Sequence, residues 1–173
     1  MERRRVDPDR KPSVLGAISG AVAGLATITP ASGFVKPMPA LLIGFVAGVV
    51  CYLMVSVVKS RFRYDDSLDA FGVHGIGGTI GILATGVFAT NAVNNALKDA
   101  SGHAQAMGLA DGNAGQILNQ FWAVLIGWVL SIVGTLVILK VVDLLVGVRV
   151  AREDEIDGLD LSQHGEEAYN FEA

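Results

Sequence analysis

Cysteine is nearly absent from this chain: Cys51 is the only one in 173 residues, and it lies inside an apolar run. One thiol can close no disulfide within the chain and cannot by itself build a cysteine-based metal centre. Charge is also scarce. Only 17% of the residues are Asp, Glu, Lys or Arg, while 51% are hydrophobic; an ordinary soluble domain carries about a quarter charged residues. No basic stripe with interleaved aromatics is present, so nucleic acid is not an expected partner. Residues 1–11 are charged and contain no apolar core, and the first long apolar run lacks a convincing cleavage site. No removable signal peptide is expected. Glycine is the exception, with 21 copies. Soluble helices disfavour it, whereas membrane helices use it to bring backbones close together.

A length of 173 residues suits one domain. Four apolar stretches are long enough to cross a hydrocarbon core, which takes about 20 helical residues. They cover residues 13–29, 40–58, 70–90 and 117–146. The last is longer than a perpendicular span needs, which implies tilt or a turn emerging from the membrane. Residues 1–12 form a short polar segment before the first span, and residues 147–173 form an acidic tail too polar to span. The expected fold class is all-α integral membrane, with four transmembrane helices.

Charge placement supports these spans independently. Five basic residues (Arg3, Arg4, Arg5, Arg10, Lys11) precede the first span, three (Lys59, Arg61, Arg63) lie between the second and third, and three (Lys140, Arg149, Arg152) accompany the end of the fourth. The other two loops hold only Lys36 and Lys98. Eleven of the thirteen basic residues therefore fall on one side in strict alternation. By the positive-inside rule both termini are expected in the cytoplasm. The polar loop at 91–116 then faces outward.

Small residues recur every four positions: Gly16, Gly20 and Gly24, then Gly44 and Gly48, then Gly77 and Gly81. Such spacing lines one helix face, and close helix packing is a sufficient explanation. The segment 65–75, DDSLDAFGVHG, holds the most chemistry. Asp65, Asp66 and Asp69 sit at a helix start, where they act as caps, as ion-pair partners of Arg61 and Arg63, or as part of a site. His74 is the one titratable residue inside the third apolar run. Ionisable side chains are costly there and usually face a bundle interior or a water-filled path. The bland alternative is a histidine hydrogen-bonded between helices. Gly72 and Gly75 are expected to leave room around its ring. An imidazole can donate or accept a hydrogen bond and exchange a proton near neutrality, which suits a path for a proton or a small polar substrate.

Other chemistries fit less well. Gly75, Gly77 and Gly81 are spaced GxGxxxG rather than GxGxxG and lie at membrane depth, so they form no dinucleotide loop. His103 and His164 fall on opposite sides of the membrane, and no carboxylate cluster accompanies His74, so no metal site is expected. No Ser-His-Asp arrangement is visible. Ser19 is intramembrane, where serine commonly bonds its own helix backbone or a neighbour. The chain is not expected to be an enzyme or to hold a cofactor.

Three strings resemble the ammonium transporter family in order and spacing: GAVAGLATITPASG at 20–33, DDSLDAFGVHG at 65–75, and GLD at 158–160 with HGEEAY at 164–169. The tail string is closer to the ammonium transporter branch than to the Rhesus branch. Residues 1–9 have no clear match. The resemblance implies an inverted-repeat membrane fold of eleven spans, of which these four resemble the eighth to eleventh. It implies that His74 is the second of two pore histidines. Ser19, Ala70, Phe71 and Asp69 are then near the inner mouth, and Asp65 and Asp69 hold the cytosolic end together. It also implies ammonium or ammonia as substrate, a plasma-membrane homotrimer with one pore per protomer, and a PII-family signal protein as a candidate partner. The first seven spans have no counterpart here. The chain is therefore expected not to enclose a pore alone, whether as a truncated product, a fragment or half of a split transporter. The alternative is a non-conducting regulatory or interaction protein, or a remnant, that joins complete transporters.

Overall fold

The computed structural model describes residues 14–96, 98 and 101–166. The basic N-terminal segment and the end of the tail (1–13 and 167–173) lie outside the described residues. The described residues fall into two units, one up to Ile126 and one from Gly127 onward.

Among the described residues four helices are long and apolar enough to cross a membrane. Helix α1 (Val14–Ile28) ends in a 3₁₀ turn, Thr29–Ala31, that contains Pro30. Helix α2 (Pro37–Leu53) begins on Pro37, where a missing N–H costs nothing because the first-turn donors have no helical acceptor. It continues through a π-helical turn, Met54–Val58, and one last α turn, Lys59–Phe62. A second π-helical turn, Phe71–Gly75, leads into α3 (Ile76–Phe88). Helix α4 (Gly115–Leu145) is the longest at 31 residues. A short acidic helix, α5 (Arg152–Asp157), follows, and Arg149 pairs with its Glu155 at 2.8 Å. Apart from one isolated bridge between Lys98 and Ala104, the described residues contain no β-structure.

The core is built of small side chains. Ala23, Ala31, Ala47 and Ala89 are buried with Ile43, Cys51 and Met107, while Leu25, Phe45 and Leu41 are about two-thirds or more exposed. Buried small residues beneath an outer layer of large apolar ones is the pattern expected when lipid, not water, covers the outside. Helix α1 packs on both α2 and α3. The closest approach is at Thr27, which is completely buried. An added Cβ on Gly77 would stand 2.6 Å from Thr27 Oγ1, and one on Gly81 would stand 2.0 Å from the Thr27 carbonyl oxygen. The packing role expected of the glycine pairs thus holds in α3. Among the described residues it does not hold for Gly20, Gly24, Gly44 and Gly48, where an added Cβ would meet nothing within 4 Å.

At the opposite end from Lys59, one carboxylate organises the loop. Asp111 accepts the Thr90 hydroxyl at 2.6 Å and the Asn91 amide at 2.6 Å. The Thr90 hydroxyl, then the Asn91 amide, hold its carboxyl below the usual aspartate range. A depressed carboxyl stabilises the fold above its unfolded value and loses that contribution as pH falls through the folded value. Hydrogen-exchange protection of the Asn91 amide should therefore persist through the ordinary aspartate range and collapse in stronger acid. Asp111→Asn should abolish that acid-dependent step; a step unchanged by the substitution would contradict the assignment.

Candidate functional site

Lys59, Asp66 and Asp69 fix the start of the segment that carries His74. The Asp66 carboxylate accepts the backbone N–H groups of Ala70 at 2.8 Å and Phe71 at 2.9 Å. It satisfies two of the donors that every helix start leaves open. Asp69 sits in the left-handed region, with φ +57°, and its carboxylate pairs with Lys59 at 2.5 Å. Lys59 Nζ also donates to the Asp66 carbonyl. Of the roles open to the three aspartates, Asp66 is thus the cap and Asp69 the ion-pair partner. That partner is Lys59 on the last turn of the preceding helical span, not the expected Arg61 or Arg63. Asp65 is exposed.

Above this junction lies an open-sided cavity of about 570 Å³. Ser19 from α1, Tyr52 from α2, Ser56 from the first π turn, Asp69 and His74 are its polar lining residues, set among Leu15, Ile18 and Val22. The structure therefore brings together Ser19, Asp69 and His74 from separate parts of the sequence. Ala70 and Phe71 begin the His74 segment without lining this cavity. Phe71 instead makes an edge-on contact with Tyr64, with ring centroids 5.9 Å apart. The room expected beside His74 is taken up: an added Cβ on Gly72 would meet Val55 Cγ2 at 2.9 Å, and one on Gly75 would meet Phe71 Cδ2 at 3.1 Å. His74 is exposed because the cavity is open, not because its glycine neighbours leave space.

Lys59, Val55 and Thr27 escaped notice in the sequence. Lys59 looked like an orientation charge, and Val55 like one apolar residue among many. Thr27 is fully buried and its hydroxyl has no hydrogen-bond partner among the described residues. Nothing in its local sequence separates it from Thr29, whose hydroxyl bonds the Leu25 carbonyl at 2.7 Å. Among the described residues no group of three or more His, Cys, Asp or Glu side chains could hold a metal ion.

A largely apolar cavity with a few polar groups disfavours a bare cation, which loses its hydration there, more than a small neutral molecule. The sequence profile of the Ammonium Transporter Family matches residues 4–169. The chain belongs to this family. The match begins within residues 1–9, where the sequence alone suggested no counterpart. The chain is 48% identical over 161 residues to an ammonium transporter of Bacillus subtilis, covering 93% of this chain and 38% of that protein. It is 46% identical to the ammonium transporter Amt1 of Archaeoglobus fulgidus, covering 92% and 38%. The crystal structure of Saccharomyces cerevisiae Mep2 superposes with a TM-score of 0.72 at 33% identity, covering 83% of this chain and 32% of that one. The chain thus spans well under half the length of the relatives it matches. Family and spans together make it a multi-pass membrane protein.

Proposed function

We propose that this chain forms part of the wall of an ammonium-conducting path, with His74 as a pore-lining histidine, and that it conducts only when further spans close the cavity. The observation that carries this reading is the placement of His74. It is an ionisable side chain within an apolar helical span, facing an open cavity together with Ser19 and Asp69. Membrane-embedded ionisable residues typically mark substrate or proton paths. A path lined this way passes ammonia and a proton more easily than the intact cation. Phe71 and Ala70 stand at the inner mouth in this reading, and Asp65 and Asp69 belong to its cytosolic rim. The basic-residue bias supports an orientation with both termini in the cytoplasm, and the family resemblance supports the plasma membrane. The family resemblance adds a homotrimer, or association with complete transporter protomers, and a PII-family signal protein docking at the inner face.

The test is methylammonium uptake in cells lacking their own ammonium transporters. The chain is expressed alone and together with a family portion supplying seven further spans. Uptake is expected only in the combined case. Uptake by the chain alone would overturn the need for further spans. A second reading, a non-conducting regulatory protein, is favoured by the open cavity and by α4, whose most apolar window has no buried residue. No uptake in either case, with the protein verified in the membrane, would support it.

A further inference from the structure

His74 does not lie on regular α-helix. It belongs to the π turn Phe71–Gly75, in which the Ile76 N–H donates to the Phe71 carbonyl five residues back. Of the two further π turns among the described residues, Asp160–His164 lies in the tail and Met54–Val58 lies in the membrane region, with the Lys59 N–H donating to the Met54 carbonyl. Such turns are rare and concentrate at functional sites.

The two π turns of the membrane region touch each other at Gly72. A Cβ added there would stand 2.9 Å from Val55 Cγ2 and 3.5 Å from Met54 Cβ. Gly72 is buried, and His74 two residues later faces the cavity. Two residues advance a helix by roughly half a turn, so these positions point in nearly opposite directions. Contact on the Gly72 side therefore sets how the His74 side is aimed. Glycine is poorly suited to a helix interior on propensity alone. Here its missing side chain is what allows the approach.

We propose that Gly72 and Val55 are positioning residues for His74: the bare backbone at 72 lets the two π turns meet, and that contact directs the imidazole into the cavity. The Asp66 cap on the Ala70 and Phe71 amides and the Lys59–Asp69 bridge hold the residues just before this contact. The consequence for transport rests on the reading of His74 as part of the ammonium path; the placement itself does not.

Two readouts separate these. The first needs no transport. In the full chain assembled with the complementary spans, Cys51→Ser removes the native thiol and His74→Cys reports accessibility to a cationic methanethiosulfonate reagent. Gly72→Ala should slow labelling at position 74 roughly tenfold, and adding Val55→Gly should restore it to within about threefold, because the second change vacates the space the new methyl needs. The second readout is methylammonium uptake with His74 intact, which should fall and recover in the same order. Labelling that Gly72→Ala leaves unchanged, or that stays slow in the double variant, would overturn the proposal. Labelling that follows the expected order while uptake ignores both Gly72→Ala and His74→Ala would uphold the positioning and remove the path reading instead. Should Gly72→Ala fail to accumulate in the membrane, Val55→Ile presses on the same contact from the other side and must also slow labelling.

Discussion

Replacing His74 with alanine is expected to lower methylammonium uptake roughly 10- to 100-fold in an assembly of this chain with the complementary spans. A small polar molecule crossing an apolar constriction gives up its hydrogen bonds to water. Leaving such a group without a partner costs about 1–3 kcal/mol on protein mutational scales, and each 1.4 kcal/mol is about a factor of ten. The imidazole both donates and accepts, through its two ring nitrogens, beside the hydroxyls of Ser19, Tyr52 and Ser56 in the same cavity. Alanine removes both functions. It should do so without unfolding the protein, because His74 is exposed to the cavity and its loss empties no packed core. Uptake rate, its dependence on pH and its selectivity against competing cations are to be measured at equal membrane levels. If all three match the parent, His74 is not part of the path.

The fold class was legible because two independent signals agree. Apolar runs of the right length locate the spans, and Lys59, Arg61 and Arg63 alternate in side with Lys36 and Lys98. His74 was legible because an ionisable residue in an apolar run is conspicuous. Its surroundings were not. Whether a glycine meets a neighbour depends on which helix lies opposite, so Gly44 and Gly81 look alike in the sequence while one faces open space and the other a backbone carbonyl. The π turns were hidden for a related reason. An i→i−5 turn is rare and occurs mostly as a single turn inside an α-helix, and the packing partner of Gly72 is seventeen residues away at Val55. The Lys59–Asp69 pair was obscured by three basic residues within five positions. Only the direction in which α2 ends selects Lys59 among them.

Gly81→Ala should be the most damaging single methyl in the membrane region. Its Cβ would fall 2.0 Å from the Thr27 carbonyl oxygen and 3.1 Å from Pro30 Cδ. No side-chain rotation relieves a clash with a backbone oxygen, and Pro30, in the turn that ends α1, restricts the local backbone. The remaining response is separation of α1 from α3, which would also open the buried sites of Thr27 and Cys51. Overpacking of a tight interior costs about 1–3 kcal/mol, and a rigid neighbour places this site at or above the top of that range. Gly44→Ala is the matched control: it too replaces glycine in a helix, but its Cβ meets nothing within 4 Å, and the exchange favours helix by up to about 1 kcal/mol. In detergent, Gly81→Ala should lower the thermal midpoint of the full chain while Gly44→Ala leaves it level or slightly raised. Equal midpoints for the two variants would mean that α1 and α3 do not approach through Gly81.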